Sequence, residues 1–426
     1  MSSTDARSPA ALPDQTTTQL QIGGRGATTR PIARPRLVGM DVARGLALLG
    51  MIAVHSIADL DSRGNPTLSA EVAAGRASTL FVMLAGVGLA LLSGGQRPAE
   101  GRARTAVAAG IAVRALLIGA IGLLLGGLFG EATDIEVILP YYAVLFLIAI
   151  PLLGLRPSTL AWIAAGVVAV APVLILWIVA DVGAADLDAG GNVTFETLFD
   201  DPGGLLSALL VTGSYPVLAF LAYLCAGLAI GRLNLSSGRL AAGLLGGGLA
   251  MAIGAKVVSS MLLFQMGGLG ELVDLEDADS PREAVNQLLW DPEPVGSWWY
   301  LALPSPHSTT PIDLLHTLGS AMAVLGAALL LCRVRAIASL LRPLAAAGSM
   351  TLTLYCAHLL VLATGVLEDE EVVLYLLMVV AALAFGYFWQ LKKGQGPLER
   401  MVAATAGLAR RAVAAQQTRD GRHRRG

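Results

Sequence analysis

The chain is predicted to be an all-α, polytopic transmembrane helix bundle of about ten spans with both termini cytoplasmic. Three observations predict it. Of 426 residues, 55% are hydrophobic and only 14% charged, and the mean hydropathy is +0.68, too apolar for a soluble domain. Apolar runs near the ~20 residues that cross ~30 Å of hydrocarbon recur along the whole chain. The connections between them alternate between basic and acidic, as the excess of Lys and Arg in cytoplasmic loops requires.

In order, residues 1–35 are polar, rich in Thr, Pro, Ala and Arg, and lack a signal-peptide pattern; they read as a disordered cytoplasmic tail. The apolar runs follow at 36–60, 72–93, 105–129, 137–153, 160–180, 214–230, 240–266, 312–332, 344–366 and 371–389. Residues 36–390 thus form one transmembrane domain, and 391–426 a basic cytoplasmic tail. Arg97, Arg102, Arg104, Arg156, Arg232, Arg239, Arg333, Arg335 and Arg342 fall on the side of both termini. Glu131, Asp134 and Glu136, with the acidic stretches 181–201, 271–293 and 368–371, fall on the other.

Two outer connections, 181–213 and 267–311, exceed ordinary loop lengths and are expected to fold over the outer mouth. The second carries Trp290, Trp298, Trp299 and Tyr300 before His307. Residue type alone favours an interfacial belt for these aromatics, and they also suit stacking on a sugar or lipid head group. Gly122, Gly126 and Gly130, and again Gly243 and Gly247, have the four-residue spacing of close helix approach. Cys225, Cys332 and Cys356 stand singly, so neither a disulfide framework nor a zinc site is indicated. Phosphate-loop, dinucleotide-binding, HExxH and GxSxG patterns are missing, as are matched Gly- or Pro-broken half-helices, and no metal is expected.

The first span carries the chemistry. Asp41, Arg44, His55 and Asp59 fall within ~60° around a helix axis, on one stripe. Ionisable groups in a span face a bundle interior or a water-filled cavity, so the stripe should line a site. Arg44 and His55 lie about 16 Å apart along the axis, a separation that a long ligand bridges. Asp59, one turn past His55, is placed to accept its ring N–H and fix the tautomer of a general base. His307, His316 and His358 join His55 in the outer half of the membrane. For His358 a helix–helix hydrogen bond competes with a catalytic role, and for His307 and His316 solvation or capping competes. Arg44, helped by Arg36 or Arg342, suits a phosphorylated ligand because its planar fork makes paired charge-assisted bonds. Asp41 and Arg44 also fit an ordinary i, i+3 pair with a snorkelling arginine. Arg76 opens the second span from outside, either toward the same cavity or snorkelling.

MDVARGLALLGMIAVH followed by LFVMLAGVGLAL resembles the paired first helices of the membrane acyltransferases related to heparan-α-glucosaminide N-acetyltransferase. PHSTTPIDLLHTLGSAMAVLG and GSMTLTLYCAHLLVL resemble later helices of their uncharacterised bacterial relatives. The resemblance implies acyl transfer across a bacterial plasma membrane, from cytosolic acyl-CoA, chiefly acetyl-CoA, to an extracytoplasmic hydroxyl or amine. Arg44, with Asp41 and Arg36 beside it, would then hold the nucleotide phosphates, and the pantetheine arm would run toward His55. The family enzyme keeps its catalytic histidine after the first helix, whereas residues 56–72 contain none. Another superfamily of membrane O-acyltransferases places one late in the first span, where His55 stands.

The leading expectation is an acyl-CoA-dependent acyltransferase with His55, Asp59 and His358 catalytic and Arg76, His307, His316, Trp298 and Trp299 on the acceptor side. Its partners would be membrane lipid and a glycan or lipid-linked acceptor, with a homodimer open and no nucleic acid. The rival is a transporter or flippase for a polar lipid or metabolite, using the same charged stripe as its path.

Overall fold

The computed structural model describes residues 37–129, 135–182, 191–276, 278, 280–290, 292 and 296–423. Arg36, Gly130, Glu131 and Asp134 lie outside these. Among the described residues the chain is helical, with one isolated β-bridge between Leu60 and Pro66. The protein is a polytopic membrane helix bundle.

α1 (Val38–Ser56) ends sooner than predicted, because Ile57 turns extended at φ −121° and ψ 126°. An Asp61 turn follows, its carboxylate accepting the Arg63 and Asn65 N–H groups. Asp59 therefore leaves the helical stripe and lies exposed in this loop. α2 (Leu68–Ala73), capped by the Thr67 hydroxyl, and α3 (Arg76–Leu92) make one span with a break at Gly75. Gly75 sits at φ +68°, and a Cβ there would touch Pro306.

α4 (Gly101–Gly126), α5 (Leu139–Leu152) and α6 (Pro157–Val182) come next. Short α7 (Phe195–Asp200) and α8 (Pro202–Ser207) lead through a π-turn to α9 (Val217–Gly231), bent by 54° at Gly213–Pro216. α10 (Gly238–Ser260), α11 (Gly268–Val273), α12 (Pro281–Trp290) and α13 (Pro311–Leu331) follow. α14 (Arg335–Leu340) leads into α15 (Arg342–Gly348) and α16 (Thr351–Leu362), which meet at 83°. α17 (Glu371–Lys393) and α18 (Pro397–His423) complete the chain.

Among the described residues, seven segments are long and apolar enough to cross a membrane, or nine if each bent pair is one span, and α5 is a shorter apolar helix of 14 residues. Each of the predicted apolar runs is thus helical. Sharply bent spans, not evident from sequence, occur twice among the described residues, at 54° and 83°.

Small residues set the packing. A Cβ on Gly248 would lie 2.5 Å from the Gly319 carbonyl oxygen, and one on Gly326 would lie 2.5 Å from the Leu245 nitrogen, so α10 and α13 meet backbone to backbone. Gly243 and Gly247 face open space instead, which corrects the sequence reading: the repeat was right in kind, but the buried face is one residue on. We expect Gly248→Leu to lower stability by about 1–3 kcal/mol through overpacking. Gly247→Leu should stay within about 0.5 kcal/mol in the same denaturation assay. Equal effects would mean that the α10–α13 register is wrong.

The expected C-terminal tail is largely a 27-residue helix, α18. Gly110 of α4 packs against the Arg410 stem of α18, and Val402 and Ala406 are buried. The basic turns gather at the end of the bundle where α1 begins. Gly39 backs on Ala328 and Leu329, Arg333 bonds the Ser236 carbonyl, and Arg232 reaches the carbonyls of Ala90 and Leu153.

Candidate active site

Two polar constellations stand along α1, joined by one aromatic side chain. At the end near Val38, Arg44 lines a cavity of about 290 Å³ enclosed by α1, α3, α4, α5, α16 and α18. Its i, i+3 partner Asp41 is buried, with Oδ1 3.5 Å from the guanidinium. That is the local pair weighed from sequence, and its long distance makes it weak. Gly88 of α3 packs directly against the Arg44 guanidinium.

Arg114 lines the same wall, and the sequence reading missed it. It sits at the centre of α4, its Nε is buried without a hydrogen-bond partner, and it makes no ion pair among the described residues. Its charged neighbours are Arg44 and, from α18, Glu399. Two guanidiniums against the single carboxylate of Glu399 give the cavity an excess of positive charge that invites an anion, because uncompensated charge inside a membrane is costly. A signal for Arg114 existed: it is a lone ionisable residue amid the third apolar run.

At the other end of α1, His55 Nδ1 lies 2.9 Å from His358 Nε2 of α16, and the two rings stack with centroids 5.3 Å apart. The sequence reading paired His55 with Asp59; the structure pairs it with His358. His358 Nδ1 is buried without a hydrogen-bond partner, one turn beyond the backbone of Leu354 and Tyr355. Carbonyl oxygens only accept, so the tautomer with the proton on His358 Nδ1 is the one that suits this surrounding. His358 Nε2 then accepts from His55 Nδ1–H, which leaves His55 Nε2 as an open lone pair.

Tyr355 connects the two ends. It lines the arginine cavity, and its ring stands edge-on to His358 at 5.0 Å and to His55 at 6.3 Å. Its hydroxyl oxygen accepts the Ile138 N–H at 3.3 Å, fixing the ring between cavity and imidazoles. Nothing in the sequence marked Tyr355, which matters only because the α15–α16 bend turns α16 toward α1.

His307 lies within electrostatic reach of His55. Its backbone is left-handed at φ 62°, as is Thr309 at 54°, so two non-glycine residues in one short loop hold a conformation that side chains disfavour. The Ser214 carbonyl, 3.2 Å from His307 Nδ1, and an edge contact with Tyr215 orient the ring. Arg76 and His316 meet each other: Arg76 Nε donates to His316 Nε2 at 3.2 Å, while His316 Nδ1 donates to the Ala252 carbonyl at 3.1 Å. The lone pair of His316 is therefore engaged, and the ring positions Arg76. Trp299 packs into a second core with Leu262 and Tyr300, whereas Trp298 is 72% exposed. No cluster of three or more His, Cys, Asp or Glu that would hold a metal occurs among the described residues.

Residues 36–255, more than half of the chain, match the model of the heparan-alpha-glucosaminide N-acetyltransferase catalytic domain. The chain belongs to this family. No curated protein is significantly similar to it. The match covers Arg44, His55, Arg76 and Arg114 but ends before α16 and α18, so His358, Tyr355 and Glu399 lie beyond it. This protein is a multi-pass member of a membrane acetyltransferase family, and its histidine pair joins one residue inside the match to one outside.

Proposed function

We propose that this protein transfers an acyl group, chiefly acetyl, from cytosolic acyl-CoA to a hydroxyl or amine of an extracytoplasmic glycan or lipid-linked acceptor. It would act in the plasma membrane with both termini cytoplasmic. The observation that carries this reading is the cavity itself, lined by two guanidiniums, by apolar side chains and by a tyrosine whose ring stands edge-on to both imidazoles.

The residues fit the donor. Arg44 and Arg114 offer charge-assisted hydrogen bonds to phosphate oxygens, and the unpartnered Arg114 Nε supplies one that no protein group uses. Phe81, Leu84, Leu89 and Phe146 suit the pantetheine and acyl chain. The donor supplies the activated acyl carbonyl. His55 Nε2 takes the proton of the acceptor hydroxyl or amine as that atom attacks the thioester carbonyl, and returns it to the departing thiolate. His358 holds His55 in the productive tautomer and spreads the positive charge that develops. Arg76, fixed by His316, belongs to the acceptor side, with His307 nearer the base.

The test is acceptor-dependent release of free thiol from acetyl-CoA by protein in liposomes, with Arg114→Gln beside the parent. Loss of a charge-assisted contact worth about 1.5–3 kcal/mol raises the acetyl-CoA KM by roughly 10- to 150-fold. An unchanged KM would remove the cavity from the donor site.

The two broken spans favour a second reading as a transporter of a polar lipid or metabolite, since discontinuous helices line transport sites. It predicts flux of solute across the liposome membrane and no thiol release in the parent.

A further inference from the structure

The half-helix that carries Tyr355 and His358 starts abruptly. α16 begins at Thr351 after the 83° bend from α15, and its cap residue Met350 offers no side-chain acceptor. The first N–H groups of a helix have no acceptor inside it, and within a membrane domain water does not replace them. One such group, Thr353 N–H, is met from another helix: it donates to Glu399 Oε1 at 3.1 Å. The Thr353 hydroxyl donates to Glu399 Oε2 at 2.6 Å and accepts the Leu398 N–H at 3.1 Å, which closes a reciprocal clasp between α16 and α18. A carboxylate at this point also meets the positive end of the α16 dipole. Gly396 packs on Met350 at the bend, and Gln390 donates to Ser349, so the break is clasped on both sides.

We propose that Glu399 is a positioning residue: an N-cap supplied by the C-terminal helix that sets α16, and with it the Tyr355 wall and the His358–His55 pair. Tyr355 stands two residues beyond the capped Thr353 and His358 five, so both hang on that first turn. Glu399 also lines the arginine cavity and neighbours Arg114, so one carboxylate touches the donor cavity and the histidine-bearing helix alike. α18 is in this sense a structural part of the site. The cap stands on geometry alone; its effect on transfer rests on the acyltransferase reading above.

Two measurements on Glu399→Ala and Glu399→Gln separate the cap from that reading. Hydrogen exchange of the 350–362 backbone needs no activity. Exchange there should rise by about 10-fold in the alanine variant and return most of the way in glutamine, which keeps an acceptor oxygen. If α16 exchanges as in the parent when Glu399 is alanine, the cap does not exist. In a parent that releases thiol, alanine should lower kcat by about 10- to 100-fold, because a shift of about 1 Å at the histidine pair misplaces the base, whereas loss of the carboxylate beside Arg114 would by itself alter only the acetyl-CoA KM. Glutamine should recover at least about a third of the lost rate. Faster exchange with unchanged kcat would overturn the positioning role. A parent without thiol release would overturn the acyltransferase reading and the coupling to transfer, with the exchange result still deciding the cap.

Discussion

Replacing His55 by alanine should leave a folded protein that still binds acetyl-CoA but transfers acyl groups about 10²–10⁴-fold more slowly, the usual contribution of a positioned proton acceptor. The arginine cavity is built from side chains other than His55, so donor binding and base are separable. His358→Ala should cost less, about 10-fold or more, because it removes the acceptor of His55 Nδ1–H and frees the ring and its tautomer. Glutamine at 358 presents an amide oxygen to the same N–H and should restore part of the rate. Asp59→Asn should change little, since that side chain lies exposed in the loop beyond α1. The decisive contrast is between the two histidines. Near-normal transfer in His55→Ala with a large loss in His358→Ala would make His358 the base and reverse the tautomer chain. The readout is single-turnover transfer, which separates chemistry from acceptor release.

Arg232→Met should lower the apparent unfolding free energy in micelles by about 3 kcal/mol, because buried acceptors on two helix ends lose a charge-assisted donor at once. Arg232 is 4% exposed, and its guanidinium bonds the Ala90 and Gly95 carbonyls at 3.0 and 2.9 Å, the Ser93 hydroxyl at 3.0 Å and the Leu153 carbonyl. These acceptors lie at the C-terminal ends of α3 and α5, where the helix supplies few donors; the Ala90 carbonyl also accepts the Gly95 N–H and the Ser93 hydroxyl, so the Gly95 and Leu153 carbonyls depend most on the guanidinium. One planar fork from the end of α9 satisfies both ends and ties three helices together. Methionine keeps much of the volume but leaves the Gly95 and Leu153 carbonyls without this donor. Lysine keeps the charge, yet its single ammonium does not reach all four, so Arg232→Lys should lose roughly half as much. A denaturant midpoint unmoved by Arg232→Met would show that water or lipid head groups replace the clamp.

Composition and patterning determined the class of this protein. Apolar runs of the length of a bilayer have one outcome in lipid, since a backbone that cannot hydrogen-bond to water must bond to itself. The helices therefore came from local sequence, and so did the importance of α1, because ionisable residues at helical spacing in an apolar run have to face something polar. Arg44, His55 and His358 were legible on that ground, and the family resemblance added the chemistry.

Tertiary structure alone decided the pairings. The partner of His55 lies 303 positions away on α16, and only the 83° bend brings it there, whereas the sequence offered the nearer Asp59. Arg114 carried the same signal as Arg44, but its sharing of one cavity with Arg44 depends on how α4 packs beside α1. Glu399 looked like part of a solvated tail, because a carboxylate past the last apolar run says nothing of its neighbours until α18 folds back along α4 and meets the open end of α16. Periodicity tells which residues share a face of one helix; which face meets which is settled by close approaches such as Gly248 on Gly319, and these depend on both helices at once.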